Sequence, residues 1–177
     1  MTDIEIPSTN LGPLPEVSRL GFGLAALGRP AYLNLGHGTD LEGRRSPESL
    51  EAQLHSMLEF AVGSGITYID AARSYGRSEE FLASWSGLSR QPDLVIGSKW
   101  GYTYVGEWRT DARVHEEKDH SLEAFNRQLD ETTKLLGDRL NIYQIHSATP
   151  ETGVLEDHRV LEALGALRDR GVIVGLT

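Results

Sequence analysis

No cysteine occurs among the 177 residues, which excludes a disulfide framework, thiolate metal ligands and a cysteine nucleophile, and fits a reducing compartment. No stretch approaches the roughly 18 consecutive apolar residues of a membrane helix, and the opening MTDIEIPSTN is acidic where a secretory leader is basic. A cytoplasmic chain without membrane contact is therefore expected. Cations are scarce as well. Seventeen Lys and Arg face 26 Asp and Glu, a formal net charge of -9, which argues against binding the phosphate backbone of a nucleic acid. What is plentiful is ordinary: 39% apolar and 24% charged residues make a globular domain with a real core, not a disordered, collagenous or coiled-coil chain.

One unit repeats along the chain: a short β-branched apolar run, a polar loop, then an amphipathic helix closed by glycine. The runs are Leu20–Leu27, Ile66–Ala72, Leu94–Trp100, Leu140–His146 and Val172–Leu176. From the second onward they start at 66, 94, 140 and 172, hence 28, 46 and 32 residues apart, close to the roughly 30 residues of a βαβ unit. Helices fill the gaps. Ser46 caps the first, Pro47 opens it, and Leu50, Leu54, Met57, Leu58 and Ala61 form its stripe up to Gly63 and Gly65. A second runs from Ser78 through Trp85; a third starts at Ser121, carries Leu122, Phe125, Leu129 and Leu136, and ends at Gly137. The fourth carries Val160, Leu161, Leu164 and Leu167 and stops at Gly171.

Strands that alternate with helices are parallel, joined by right-handed crossovers and buried on both faces. An open doubly wound sheet and a (β/α)8 TIM-type barrel both satisfy that pattern. Polar residues favour the barrel. Three successive runs end in ionisable groups, Asp70 with Tyr75 just beyond, Lys99 and His146, and all strand C-termini of a barrel open onto one mouth. Two long stretches after strands, Arg29–Arg45 and Gly101–His120, read as loops and hold Tyr32, Tyr102, Tyr104 and Trp108. Those aromatics either wall the mouth or pack down their own loops.

Two motif matches fail on context. Gly21 to Ala26 spells G-x-G-x-x-A, but a dinucleotide fingerprint needs a helix directly after its glycines, and here Gly28, Arg29, Pro30 and a glycine-containing loop follow. Small residues there let the first strand pass close to a neighbour or a ligand. His115, Glu116 and His120 resemble a zinc-protease motif, yet histidines five apart lie about 140° out of line on a helix. A solvated loop or helix start is expected, and no metal site.

Asp70, Tyr75, Lys99 and His146 each have a bland reading. A lysine snorkels from a strand end, a histidine satisfies itself in a core, and an aspartate caps a turn. Together they make chemistry. A phenol has a pKa of about 10, too high for proton transfer near neutrality, and a nearby cation lowers it. Lys99 is that cation, Asp70 holds it, and His146 orients a carbonyl by hydrogen bond. Protonating a carbonyl oxygen is half of a reduction. The other half is a hydride, which no side chain supplies, so a nicotinamide cofactor is implied.

At these residues the chain resembles the aldo-keto reductases. The family's D-T-A-x-x-Y-G resembles Asp70-Ala71-Ala72-Arg73-Ser74-Tyr75-Gly76, followed by Ser78-Glu79; its S/T-K is Ser98-Lys99; its histidine after an apolar fourth strand is His146; and its R-G-x-I-x-x-x-G-x-S resembles Arg170 to Thr177. The resemblance implies Tyr75 as general acid, tuned by Lys99 and Asp70, with His146 positioning a small carbonyl or alcohol substrate. It implies NADP(H), or NAD(H) as second choice, with Gly23, Leu24, Asp70 and Thr177 around the nicotinamide. The sugar- and small-aldehyde-oxidising branch is the nearer one. Three positions depart from the family: Ala71 stands for threonine, Asn141 for a common aspartate and Thr177 for serine.

Length adds a further expectation. A complete (β/α)8 barrel takes about 250 residues. These 177 are then residues 1–177 of one domain, truncated after about five β/α units, with no second domain. The alternative reading is a non-catalytic fragment or interaction protein of the same family, lacking the adenosine-phosphate site and self-associating through open sheet edges.

Overall fold

A computed structural model describes residues 6–31 and 45–177. In chain order the elements are β1 (Ser8–Thr9), β2 (Val17–Ser18), β3 (Gly21–Gly23), α1 (Pro47–Gly63), β4 (Tyr68–Asp70), α2 (Ser78–Ser84), β5 (Val95–Trp100), β6 (Tyr102–Tyr104), β7 (Glu116–Lys118), α3 (Leu122–Leu136), β8 (Ile142–Ile145), α4 (His158–Asp169) and β9 (Ile173–Leu176). Five strands form one parallel sheet in the order β3-β4-β5-β8-β9, the sequential order of a (β/α)8 arrangement.

The five apolar runs each contain a strand, shorter than the run at both ends or one. The first shrinks most. Only residues 21–23 pair with β4, because Leu27 and Gly28 N–H both turn back onto the Leu24 carbonyl. The helices begin where their caps put them. Ser46 Oγ accepts from Ser49 N–H at 3.2 Å and Ser121 Oγ from Ala124 N–H at 3.1 Å. Their buried faces differ in detail from a purely apolar stripe. Met57 and Leu161 are exposed, whereas Gln128 and Thr132 of α3 are buried because polar partners await them in the core.

Alternation along the strands sorts the side chains into two layers. Ile69, Ile96, Tyr143 and Ile145 face the helices and join the main core with Leu50, Leu54, Leu58, Phe81, Phe125 and Leu164. Val95 and Ile142, of the opposite parity, form a smaller cluster with Val17 against Leu14, Tyr68 and Ile173. The hairpin β1–β2 covers that inner face through Val17. It is latched to the sheet by reciprocal bonds, Ser18 N–H to Thr67 Oγ1 at 2.8 Å and Thr67 N–H to Ser18 Oγ at 2.9 Å.

The stretch 101–120 is also not a plain loop. β6 and β7 pair antiparallel, Tyr102 opposite Lys118 and Tyr104 opposite Glu116. Gln128 anchors the hairpin: its side-chain oxygen accepts from Gly101 N–H at 2.9 Å and its amide donates to the Tyr102 carbonyl at 3.1 Å. Most of the other long stretch, including Tyr32, lies outside the described residues.

Asn141 keeps three strands in register. Its Oδ1 accepts from Ile96 N–H at 2.8 Å, its own N–H donates to the Ile96 carbonyl at 2.9 Å, and its carbonyl accepts from Ile173 N–H at 2.8 Å. The side chain acts through an acceptor oxygen, which an aspartate also offers. The departure from the family pattern therefore leaves the strand contact intact.

Candidate active site

Strand parity brings the ionisable residues together. Gly23 pairs with Asp70, Asp70 with Gly97, and Lys99 with Gln144, so Gly23, Asp70, Lys99 and His146 lie on the inner face at the C-terminal end of the sheet. Gly175 pairs with Gln144, which puts Thr177 on the same face. Leu24 has the opposite parity. Its side chain, expected beside the nicotinamide, is 0% exposed in the helix-side core, and only its backbone N–H reaches the site, donating to the Asp70 carbonyl at 2.9 Å.

Lys99 is the hub. Its Nζ donates to Asp70 Oδ2 at 2.6 Å, to the Ala71 carbonyl at 2.9 Å and to the Tyr75 hydroxyl oxygen at 3.4 Å, so each N–H of the ammonium has an acceptor. Burial pushes the Lys99 pKa down from its ordinary value, and the Asp70 carboxylate opposes that shift. Asp70 is held on its other oxygen by the Tyr68 hydroxyl at 3.3 Å. Burial first, then the Asp70 charge, pushes the Tyr68 phenol well above its ordinary range, so it stays a proton donor. The Tyr68 ring lies across two glycines of the flanking strands: a Cβ on Gly21 would come within 2.5 Å of Cδ1, and one on Gly97 within 2.6 Å of the hydroxyl oxygen. That is the role of the first glycine in the false dinucleotide motif.

Ser98, the neighbour of Lys99, points the other way. Its hydroxyl donates to Glu79 Oε1 at 2.5 Å, and Thr132 Oγ1 donates to the same oxygen at 2.9 Å, while Arg73 pairs with Glu79 Oε2 at 2.5 Å. This buried carboxylate ties α2, α3 and β5 beneath the turn that carries Tyr75. Arg73 N–H donates to the Lys99 carbonyl at 3.0 Å and fastens that turn directly to β5.

His146 follows β8. Its imidazole meets the Tyr75 ring edge-on at 5.6 Å and the Tyr102 ring at 5.1 Å, and its Nδ1 lies 3.4 Å from Ser74 Oγ. Its carbonyl accepts from His120 Nε2 at 3.0 Å. Burial, with Lys99, His120, Arg29 and Lys118 around it, pushes its pKa down to about 4, so the ring is neutral at pH 7. Ser147, immediately beyond, takes φ 52°, a left-handed conformation for a residue with a Cβ, and its N–H donates to Thr177 Oγ1 at 3.0 Å.

Sequence reasoning gave no role to Tyr68 or Ser74, weighed His120 only as part of a failed metal motif, and named Tyr102 among the aromatics that could wall the mouth. Tyr68 and Ser74 flank residues it had chosen. Tyr102 and His120 arrive on the hairpin, for which the alternation Tyr-Thr-Tyr was the available signal. Of the three loop aromatics among the described residues, Tyr102 reaches the site. Trp108 packs against the main core instead, its ring 6.2 Å from Phe81 and its Nε1 donating to the Arg45 carbonyl at 2.7 Å, and the Arg29 guanidinium lies over the Tyr104 ring, 5.8 Å from its centre. Glu116 pairs with Arg29 at 3.2 Å, and among the described residues no group of three or more His, Asp and Glu is placed to hold a metal ion.

The aldo/keto reductase family model matches residues 19–176, from the first strand of the sheet to the last. The chain belongs to the aldo/keto reductase family. The uncharacterized oxidoreductase YqkF of Bacillus subtilis (strain 168) is 32% identical over 124 residues, which is 67% of this chain and 37% of that protein. Two solved structures from Pseudomonas aeruginosa, each provisionally named an aldo-keto reductase, superpose with TM-scores of 0.71 and 0.69 at 28% identity. They cover 96% of this chain, which spans 59% and 58% of theirs. Aldo-keto reductases have the (β/α)8 fold, and the parallel sheet seen here is five consecutive strands of that plan.

Proposed function

We propose that this aldo-keto reductase chain carries the proton-transfer centre of an NAD(P)H-dependent oxidoreductase that interconverts small aldehydes or ketones, sugars among them, and alcohols. The observation that carries the reading is the contact of Lys99 Nζ with the Tyr75 hydroxyl oxygen, 3.4 Å, in a site where Lys99 is 5% and Tyr75 8% exposed. An ammonium at that distance stabilises the negative charge that develops on the phenolic oxygen as its proton leaves for a carbonyl oxygen. Asp70 and the Ala71 carbonyl hold the ammonium in place before the proton moves, so no reorganisation is required at that moment. The neutral His146 ring orients the carbonyl by hydrogen bond.

A reduced nicotinamide, when bound, supplies the hydride to the carbonyl carbon. The residues at the mouth fit such a ring. Gly23 is exposed and a Cβ there would meet no heavy atom within 4 Å, so a flat group can lie against the strand end. The Thr177 hydroxyl accepts from Ser147 N–H and still has its own proton to donate. Gly23, Asp70 and Thr177 are the residues that would hold the ring; NADP(H) is the form proposed, with NAD(H) second.

Purified protein mixed with NADPH and a panel of aldehydes, with loss of reduced-nicotinamide absorbance as the readout, tests the assignment. Tyr75→Phe removes the acid and lowers kcat about 10²–10⁴-fold. Absence of turnover with every aldehyde, or equal turnover in Tyr75→Phe, defeats it.

A further inference from the structure

We propose that Ser74 is a positioning residue for His146: its hydroxyl donates to Nδ1 and thereby places the single ring proton on Nε2, the nitrogen left to meet a carbonyl oxygen. Ser74 occupies a variable position of the family motif, between Arg73 and Tyr75, and is 1% exposed. Its backbone is fixed by Arg29 Nη1, which donates to the Ser74 carbonyl at 3.2 Å. Among the described residues, His146 Nδ1, at 3.4 Å, is the one hydrogen-bond partner of Ser74 Oγ.

Two arrangements of protons are open to this pair. With the ring proton on Nδ1, the serine oxygen accepts and its own proton is buried without an acceptor. With the proton on Nε2, the hydroxyl donates into the Nδ1 lone pair and both groups are satisfied. Buried polar groups are found in the satisfied state. The doubly protonated ring does not compete near neutrality, since burial first, and then the positive charges of Lys99, Arg29 and Lys118 around it, oppose it. The ring is also held in orientation, edge-on to Tyr75 at 87° and to Tyr102 at 69°, and its backbone is held by His120. What remains to be set is the tautomer, and a carbonyl oxygen, itself an acceptor, requires a donor at Nε2.

The inference rests on the substrate-orienting role proposed for His146, but the tautomer is a property of the chain alone and is read without substrate. Two-bond proton–nitrogen correlation NMR on the 177-residue chain, labelled with 15N-histidine, distinguishes the nitrogens of His146. The expected result is a proton on Nε2 and an Nδ1 resonance displaced by hydrogen bonding. Ser74→Ala returns Nδ1 to the unbonded position; Ser74→Thr, which keeps the hydroxyl, does not. A proton on Nδ1 in the native chain overturns the proposal without recourse to any variant, as does an Nδ1 resonance unmoved by Ser74→Ala. In the carbonyl assay Ser74→Ala lowers kcat about tenfold with KM nearly unchanged, and threonine restores it. Failure of turnover in every variant instead rejects the reductase reading and leaves the NMR result standing.

Discussion

Gly28 and Gly76 cross so closely that neither tolerates a side chain: a Cβ on Gly28 would lie 2.0 Å from the Tyr75 carbonyl oxygen, and one on Gly76 2.4 Å from that of Gly28. Arg77 N–H seals the crossing by donating to the Gly28 carbonyl at 2.8 Å. The turn that carries Tyr75 is thus locked to the turn after β3, and the height of the phenol above Lys99 is set there.

Gly28→Ala is expected to cost about 1–3 kcal/mol by overpacking against backbone that cannot move aside. Gly76→Ala adds the penalty of a left-handed residue, its φ being +61°, and costs more. Urea unfolding followed by tryptophan fluorescence measures both; loss of less than about 0.5 kcal/mol in Gly28→Ala contradicts the crossing.

The pH dependence of stability follows from His146. Its folded pKa is about 4, against 6.5 for an ordinary imidazole side chain. Above pH 6.5 both folded and unfolded rings are neutral and the full stability is present. As pH falls from 6.5 toward 4 the unfolded chain takes up a proton that the folded chain refuses, and about 2–3 kcal/mol is lost. The slope should be shallower in His146→Phe than in the native chain over that window. An NMR titration midpoint above pH 6 for His146 in the folded chain would contradict it.

Asn141→Ala leaves Ile96 N–H without its acceptor and should cost about 1–3 kcal/mol, whereas Asn141→Asp keeps the oxygen and should fall within about 1 kcal/mol of the native chain. Thermal unfolding of the two variants side by side decides this. Equal losses would show that the side-chain oxygen is not the part that matters.

Trp108 and Tyr102 separate wall from support. Trp108→Ala removes the packing on Phe81 and should lower stability by about 1–3 kcal/mol while leaving KM for aldehydes unchanged. Tyr102→Ala, next to His146, should change KM about tenfold and alter the ranking of the aldehyde panel. A reversal of these two outcomes would return the long loop to the mouth as its wall.

Period and punctuation in the sequence were enough to find five strands, four helices and the four residues Asp70, Tyr75, Lys99 and His146, because each element must present one side to a core and each βα turn must begin where its apolar run ends. Departures were local in origin. Met57 and Leu161 read as core because a stripe of apolar residues is wider than the face a sheet covers. Gln128 and Thr132 lie outside the apolar stripe of their helix, and their burial follows from partners, Gly101 and Glu79, that are distant in sequence.

The sequence by itself determined the kind of fold and which ionisable residues stand at its strand ends. The tertiary structure alone decided which of those residues share a face, since register and parity put Gly23, Asp70, Lys99, His146 and Thr177 inside and Leu24 outside. It decided, too, that 101–120 folds as a hairpin bringing Tyr102 and His120 to His146, that Trp108 packs on Phe81, and that Ser74 meets an imidazole 72 positions along the chain. Periodicity is a property of neighbours a few residues apart. Contacts across strands depend on where each strand stops sliding against the next, and that is settled by packing of the whole sheet.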